Sequence, residues 1–116
     1  MTAKSRYSRI NAYHVMWIFV FFDLPTNTQS LRKKYAKFRK ELMGDGFNML
    51  QFSVYTRHCP SRENADVHIN RIQSMTPKQG HVSIMIITDK QYSGIINILG
   101  AAFTPMKKAP GQLELF

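Results

Sequence analysis

Acidic residues are scarce in this chain: seven Asp and Glu stand against sixteen Lys and Arg in 116 residues, a formal charge of +9. The surface therefore attracts polyanions, nucleic acid ahead of a membrane. Cysteine is nearly absent. The single Cys59 excludes an internal disulfide and points to a reducing, cytoplasmic setting. Its neighbour His58 projects to the opposite side of an extended chain, and His14, His68 and His81 fall at no zinc-binding spacing. Long apolar runs are missing too, since Met16 to Phe22 falls far short of the roughly 20 residues of a membrane span. Lys4, Arg6 and Arg9 before that run mimic a signal peptide, but Asp23 and Pro25 follow it in place of a small-residue cleavage site.

What is present is enough apolar residue, 44%, for one folded domain, assigned to residues 15–116 behind a basic extension, 1–14. "VMWIFVFF" reads as a core strand ending on Asp23. "TNTQ" at 26–29 has the form of a capping box, and Leu31, Tyr35, Phe38 and Leu42 then recur at helical period until Gly44 and Gly46. Residues 47–57, "FNMLQFSVYTR", switch to strand period, with Leu50, Phe52 and Val54 on one side and Met49, Gln51, Ser53, Tyr55 and Arg57 on the other. Ser61 caps a second helix with a buried stripe of Ala65, Ile69, Ile72 and Met75. "HVSIMIITD" is a third strand, "IINIL" a fourth, and "QLELF" after Pro110-Gly111 a fifth. The fold class is α+β, and the order fits a ferredoxin-like β-α-β-β-α-β sandwich read loosely, with two helices on one face and an added C-terminal strand at about 111–116.

Two helices cover one face of a sheet, yet the first strand is apolar on both: Met16, Ile18, Val20 and Phe22 on one side, Trp17, Phe19 and Phe21 on the other. A second copy packed face to face covers the second side most economically. Asp23 continues the Trp17, Phe19, Phe21 alternation, so a twofold axis brings two Asp23 carboxylates together. Such a pair either shares a proton or binds a cation, and Mg2+ suits it; alternatively Asp23 only caps the turn that follows. Arg32, Lys33, Lys34, Lys37, Arg39 and Lys40 surround the first helix's apolar stripe with Glu41 as the local counter-charge, a pattern that neutralises phosphates without reading sequence. Arg57, placed on the Asp23 side, is within the expected reach of a metal or a scissile phosphate. One Asp per chain is a thin basis for phosphodiester hydrolysis, which wants metal charge and a base.

"VFFDLP", "GFNMLQFSVYTR", "GHVSIMIITDKQY" and the closing "LELF", in this order over Met16 to Phe116, resemble the CRISPR-associated endoribonucleases of the Cas-two family. These are the small ferredoxin-like proteins that partner the CRISPR integrase, and the likeness is to the form found with a single large effector nuclease. The resemblance implies a homodimer with facing sheets, a terminal strand that crosses to the partner, and Asp23 as the catalytic and metal-binding residue. It further implies assembly with integrase subunits on a double-stranded DNA prespacer, or action on single-stranded RNA. The expected dimer contacts are Trp17, Phe19, Phe21, Tyr55, Leu113 and Leu115. The extension 1–14 departs from the family's usual start. A toxin-type RNA-cleaving dimer shares the shape, whereas an RNA-binding module of this fold lacks support, because "GHVSIMIITD" carries no glycine-aromatic signature.

Overall fold

Strand β1 (Met16–Asp23) lies inside a four-stranded antiparallel sheet of order β2-β3-β1-β4. The structure, a computed structural model, describes residues 15–108. Helix α1 (Gln29–Gly44) follows β1, then β2 (Asn48–Gln51), β3 (Val54–Cys59), helix α2 (Arg62–Met75) and β4 (His81–Thr88). This is the ferredoxin-like arrangement, and it is closer to that fold than the sequence pattern suggested. Residues 47–57 are not one strand: Phe52 and Ser53 make a tight turn, Ser53 adopting φ 64, and the segment doubles back as a hairpin. The missing strand of the β-α-β-β-α-β order is thereby supplied within that segment. "IINIL" in turn does not complete the main sheet. Among the described residues its β5 (Asn97–Leu99) pairs only with β6 (Ala102–Thr104), through a two-residue turn in which Gly100 and Ala101 both have positive φ.

The helix ends follow capping chemistry, shifted by two residues at α1. Thr28, not Thr26, is the N-cap, its hydroxyl accepting from the Leu31 amide at 3.1 Å. Ser61 caps α2 as its sequence indicates, accepting from the Asn64 amide. A short helix α3 (Asp89–Ser93) begins with a complete capping box, Thr88 and Gln91, which repeats the T-x-x-Q pattern.

The sheet has two unequal apolar faces. Under α1 and α2, Ile18, Val20, Phe22, Phe38, Leu42, Phe47, Tyr55, Cys59 and Ile72 form the main core. Burying a side chain such as Ile18 or Val20 there stabilises the fold by about 1.5–3 kcal/mol. The opposite face holds a smaller cluster, Trp17 and Phe19 covered by Tyr92, Ile95 and Met106. The Tyr92 ring stacks on Trp17 at 3.6 Å between centroids, and the indole N–H donates to Asp89 at 2.8 Å. This chain's own later segment thus covers part of the face that was expected to need a second copy. Phe21 and Met85 on that face remain over a third exposed, at 37% and 43%, and the β5–β6 hairpin exposes Ile98, Leu99 and Phe103.

Candidate functional site

Asp23 is the last residue of β1 and is exposed, opposite His81 in the register with β4. Its parity with Phe19 and Phe21 places it on the face away from the helices. Gly80 fixes the backbone there: it has φ +101, and a Cβ on it would meet the Asp23 carbonyl oxygen at 2.9 Å and the Leu24 side chain more closely still. Only glycine lets the α2–β4 connection pass so near the strand end. Among the described residues no group of three or more His, Cys, Asp or Glu side chains gathers as a metal site. A hard cation that keeps most of its waters is held by one or two carboxylates, and the exposed Asp23 presents one at this strand end.

The cations of α1 divide into three groups. Lys33, Lys37 and Lys40 recur at i, i+4 and i+7, all exposed, and sit opposite the Phe38–Leu42 stripe. Lys34 leans to one flank, donating to the Gln79 side chain at 3.3 Å, and helps line a cavity of about 320 Å³ that also holds Lys37 and Lys78. Lys78 is a cation that sequence reasoning missed, because only folding brings the end of α2 beside α1. Arg39, on the other flank, is committed to structure: its Nε donates to the Tyr55 hydroxyl at 2.6 Å, which raises the guanidinium pKa further. Arg32 donates to the Thr26 carbonyl oxygen and is exposed. The lysine row lies beyond the helix layer, on the opposite side of the sheet from Asp23.

Two placements are corrected by register. Arg57 lies opposite Ile18 and Tyr55 opposite Val20, so both belong to the helix face, not to the Asp23 face. The Arg57 guanidinium donates to the Asp45 carbonyl oxygen at 2.7 Å and points away from Asp23. Tyr55 is wholly buried in the main core and cannot reach a partner. The alternation itself survives the hairpin, since Met49 pairs with Tyr55 while Leu50 and Val54 share the Trp17–Phe19 face; the error lies in which side was set against Asp23, and only the pairing of β3 with β1 fixes that. Trp17 and Phe19 are on the expected face, buried by this chain's own residues, and Leu113 and Leu115 lie outside the described residues. His58 and Cys59 do point to opposite faces, His58 edge-on to Trp17 and Cys59 in the helix-side core. Burial lowers the His58 pKa and raises that of Cys59, leaving a neutral imidazole and an inert thiol.

A polar cluster at the end of α1 also went unread. The Asp45 carboxylate bonds His68 Nδ1 and Arg71 Nη1, each at 2.7 Å, and His68 is buried. Burial opposes the charge on Asp45, but the bonds from His68 and Arg71 outweigh it and hold its pKa below the usual carboxylate range. His68 stands three residues after Ala65 and four before Ile72, a signal of burial that the choice of Ile69 for the stripe passed over. Among the described residues, no helix is long and apolar enough to cross a membrane.

Comparison with known proteins converges on one family. The model of the family described as CRISPR associated protein Cas2 matches residues 16–95. A CRISPR-associated endoribonuclease Cas2 of Parvibaculum lavamentivorans is 50% identical over 101 residues, covering 87% of this chain and 100% of the relative. One of Flavobacterium psychrophilum is 49% identical over 110 residues, covering 95% and 96%. A solved structure described as a crystal structure of cas2 superposes with a TM-score of 0.54 at 17% identity, covering 82% of this chain and 98% of the other, which establishes likeness of fold.

Proposed function

The chain belongs to the CRISPR associated protein Cas2 family, and from that membership we propose that it serves CRISPR adaptation as a homodimeric, duplex-DNA-binding bridge for integrase subunits that insert new spacers. The observation that carries this reading is the exposed row Lys33, Lys37, Lys40 on the outer side of the helix layer, in a chain with a formal charge of +9. Lysines spaced along one helix face neutralise backbone phosphates and carry no base-reading geometry, as a bridge that accepts any prespacer sequence requires. Dimerisation through the opposite face would leave both lysine rows outward. Phe21, Met85 and the β5–β6 hairpin supply exposed apolar surface for such a contact.

The second reading is a Mg2+-dependent endoribonuclease centred on Asp23, supported by the names of the relatives and by an exposed carboxylate at a strand end. Mg2+ bound by the two Asp23 side chains of a dimer would supply positive charge to a scissile phosphate. This chain's contribution is to hold that carboxylate in place through β1 and the Gly80 approach. Arg57 takes no part, since it faces the helices. The two readings use opposite faces of the sheet and are therefore separable by mutation.

Reconstituted integration of a double-stranded prespacer, with integrase subunits and with or without this protein, tests the bridge. The expected result is integration that depends on the protein. Equal integration without it, or no complex with the integrase, would exclude that role.

A further inference from the structure

We propose that His81 is a second metal ligand beside Asp23, and that the pair selects a transition-metal dication such as Mn2+ or Co2+ over Mg2+. The inference rests on the metal-binding reading of Asp23 and deepens it. Asp23 closes β1 and His81 opens β4, and the antiparallel register sets them directly opposite each other. Side chains at opposed positions leave the same face of a sheet, with Cβ atoms roughly 5 Å apart. At metal–ligand bonds of about 2.0–2.2 Å, a carboxylate and an imidazole rooted at that spacing can share one ion. Parity along β4 agrees, since His81, Ser83 and Met85 are exposed whereas Val82, Ile84 and Ile86 pack on the helix-side core. Gly80 holds the spacing: its positive φ and its approach to the Asp23 carbonyl oxygen tie the start of β4 to the end of β1.

Both side chains are open to an ion. They are exposed, and neither enters an ion pair among the described residues, with each other or with any other group. The His81 ring is nonetheless held, because its Nε2 lies 3.3 Å from Ser83 Oγ, two residues further along the same face. An ion on Nδ1 leaves the ring proton on Nε2, which then donates to that hydroxyl oxygen. Ligating histidines commonly make such an outer hydrogen bond, and it fixes both tautomer and ring orientation. The donor set decides the ion. Mg2+ takes oxygen ligands and gains little from an imidazole, whereas a nitrogen donor favours first-row transition ions, increasingly from Mn2+ to Co2+. Sequence spacing could not show the pair, because only the pairing of β1 with β4 brings His81 to Asp23.

Titration of the full chain with Mg2+, Mn2+ and Co2+, followed by NMR, tests the pair, and the same amide spectra show that each variant is folded. In the wild type Co2+ is expected to shift or broaden the resonances of both Asp23 and the His81 ring, and to bind more tightly than Mg2+. His81→Gln should lower Co2+ affinity at least about tenfold and change Mg2+ affinity less than about twofold. Asp23→Asn should weaken binding of all three ions. Co2+ affinity unchanged in His81→Gln, with binding still lost in Asp23→Asn, would overturn the role of His81 and leave the metal reading of Asp23 intact. Binding untouched by Asp23→Asn, or no binding by the wild type, would overturn both.

Discussion

Asn in place of Asp23 preserves the shape of the side chain and removes its charge. If two Asp23 carboxylates hold Mg2+, Asp23→Asn abolishes metal-dependent RNA cleavage, measured on single-stranded RNA with and without chelator. A second residue prediction concerns Asp45. Its folded pKa lies below the unfolded value, so its stabilisation is fully present above about pH 4 and is lost as pH falls through the folded value. Asp45→Asn should destabilise the fold by about 1–3 kcal/mol at neutral pH and flatten the acid limb of the stability profile, read by denaturant unfolding from pH 2 to 7. The face on which Asp23 lies was legible in the sequence because parity along an uninterrupted strand fixes it. Asp45, His68 and Arg71 were not, because 23 residues separate Asp45 from His68 and only the packing of α1 against α2 joins them.

At the scale of elements, α1 carries the electrostatic prediction. Binding of duplex DNA should weaken with salt at a log-log slope of roughly −0.9 per phosphate contacted. Replacing Lys33, Lys37 and Lys40 by Glu should flatten that slope and weaken binding to all sequences alike. Unchanged affinity in a titration of that folded variant would place the patch elsewhere. The helix itself could be read from Leu31, Tyr35, Phe38 and Leu42, since 3.6-residue periodicity survives any tertiary context. The hairpin of β2 and β3 could not: apolar alternation runs through "FNMLQFSVYTR" without Gly, Pro or Asn at the turn, and Ser53 adopts positive φ without a sequence cue. Tyr55 and Arg57 keep the parity of Met49 through that turn, and their face is set by the register of β3 with β1, which no single-strand pattern carries.

At the scale of the molecule, the exposed Phe21, Met85 and the β5–β6 hairpin argue for a second copy, even though Tyr92 and Met106 already cover Trp17 and Phe19. Light scattering at micromolar concentration should give twice the chain mass. Phe21→Asp with Met85→Asp should raise the dimer dissociation constant at least about tenfold while the far-ultraviolet spectrum is unchanged. A wild-type monomer at that concentration would rule the dimer out. The central claim is that the chain acts through its basic helix surface and its packing, with Asp23 apart from both. Spacer integration by Asp23→Asn, assayed with integrase subunits and a duplex prespacer, tests it most directly: the account predicts near wild-type integration from a variant that no longer cleaves RNA. Integration lost while the dimer and the integrase complex still form would contradict it, placing Asp23 within the work of the bridge.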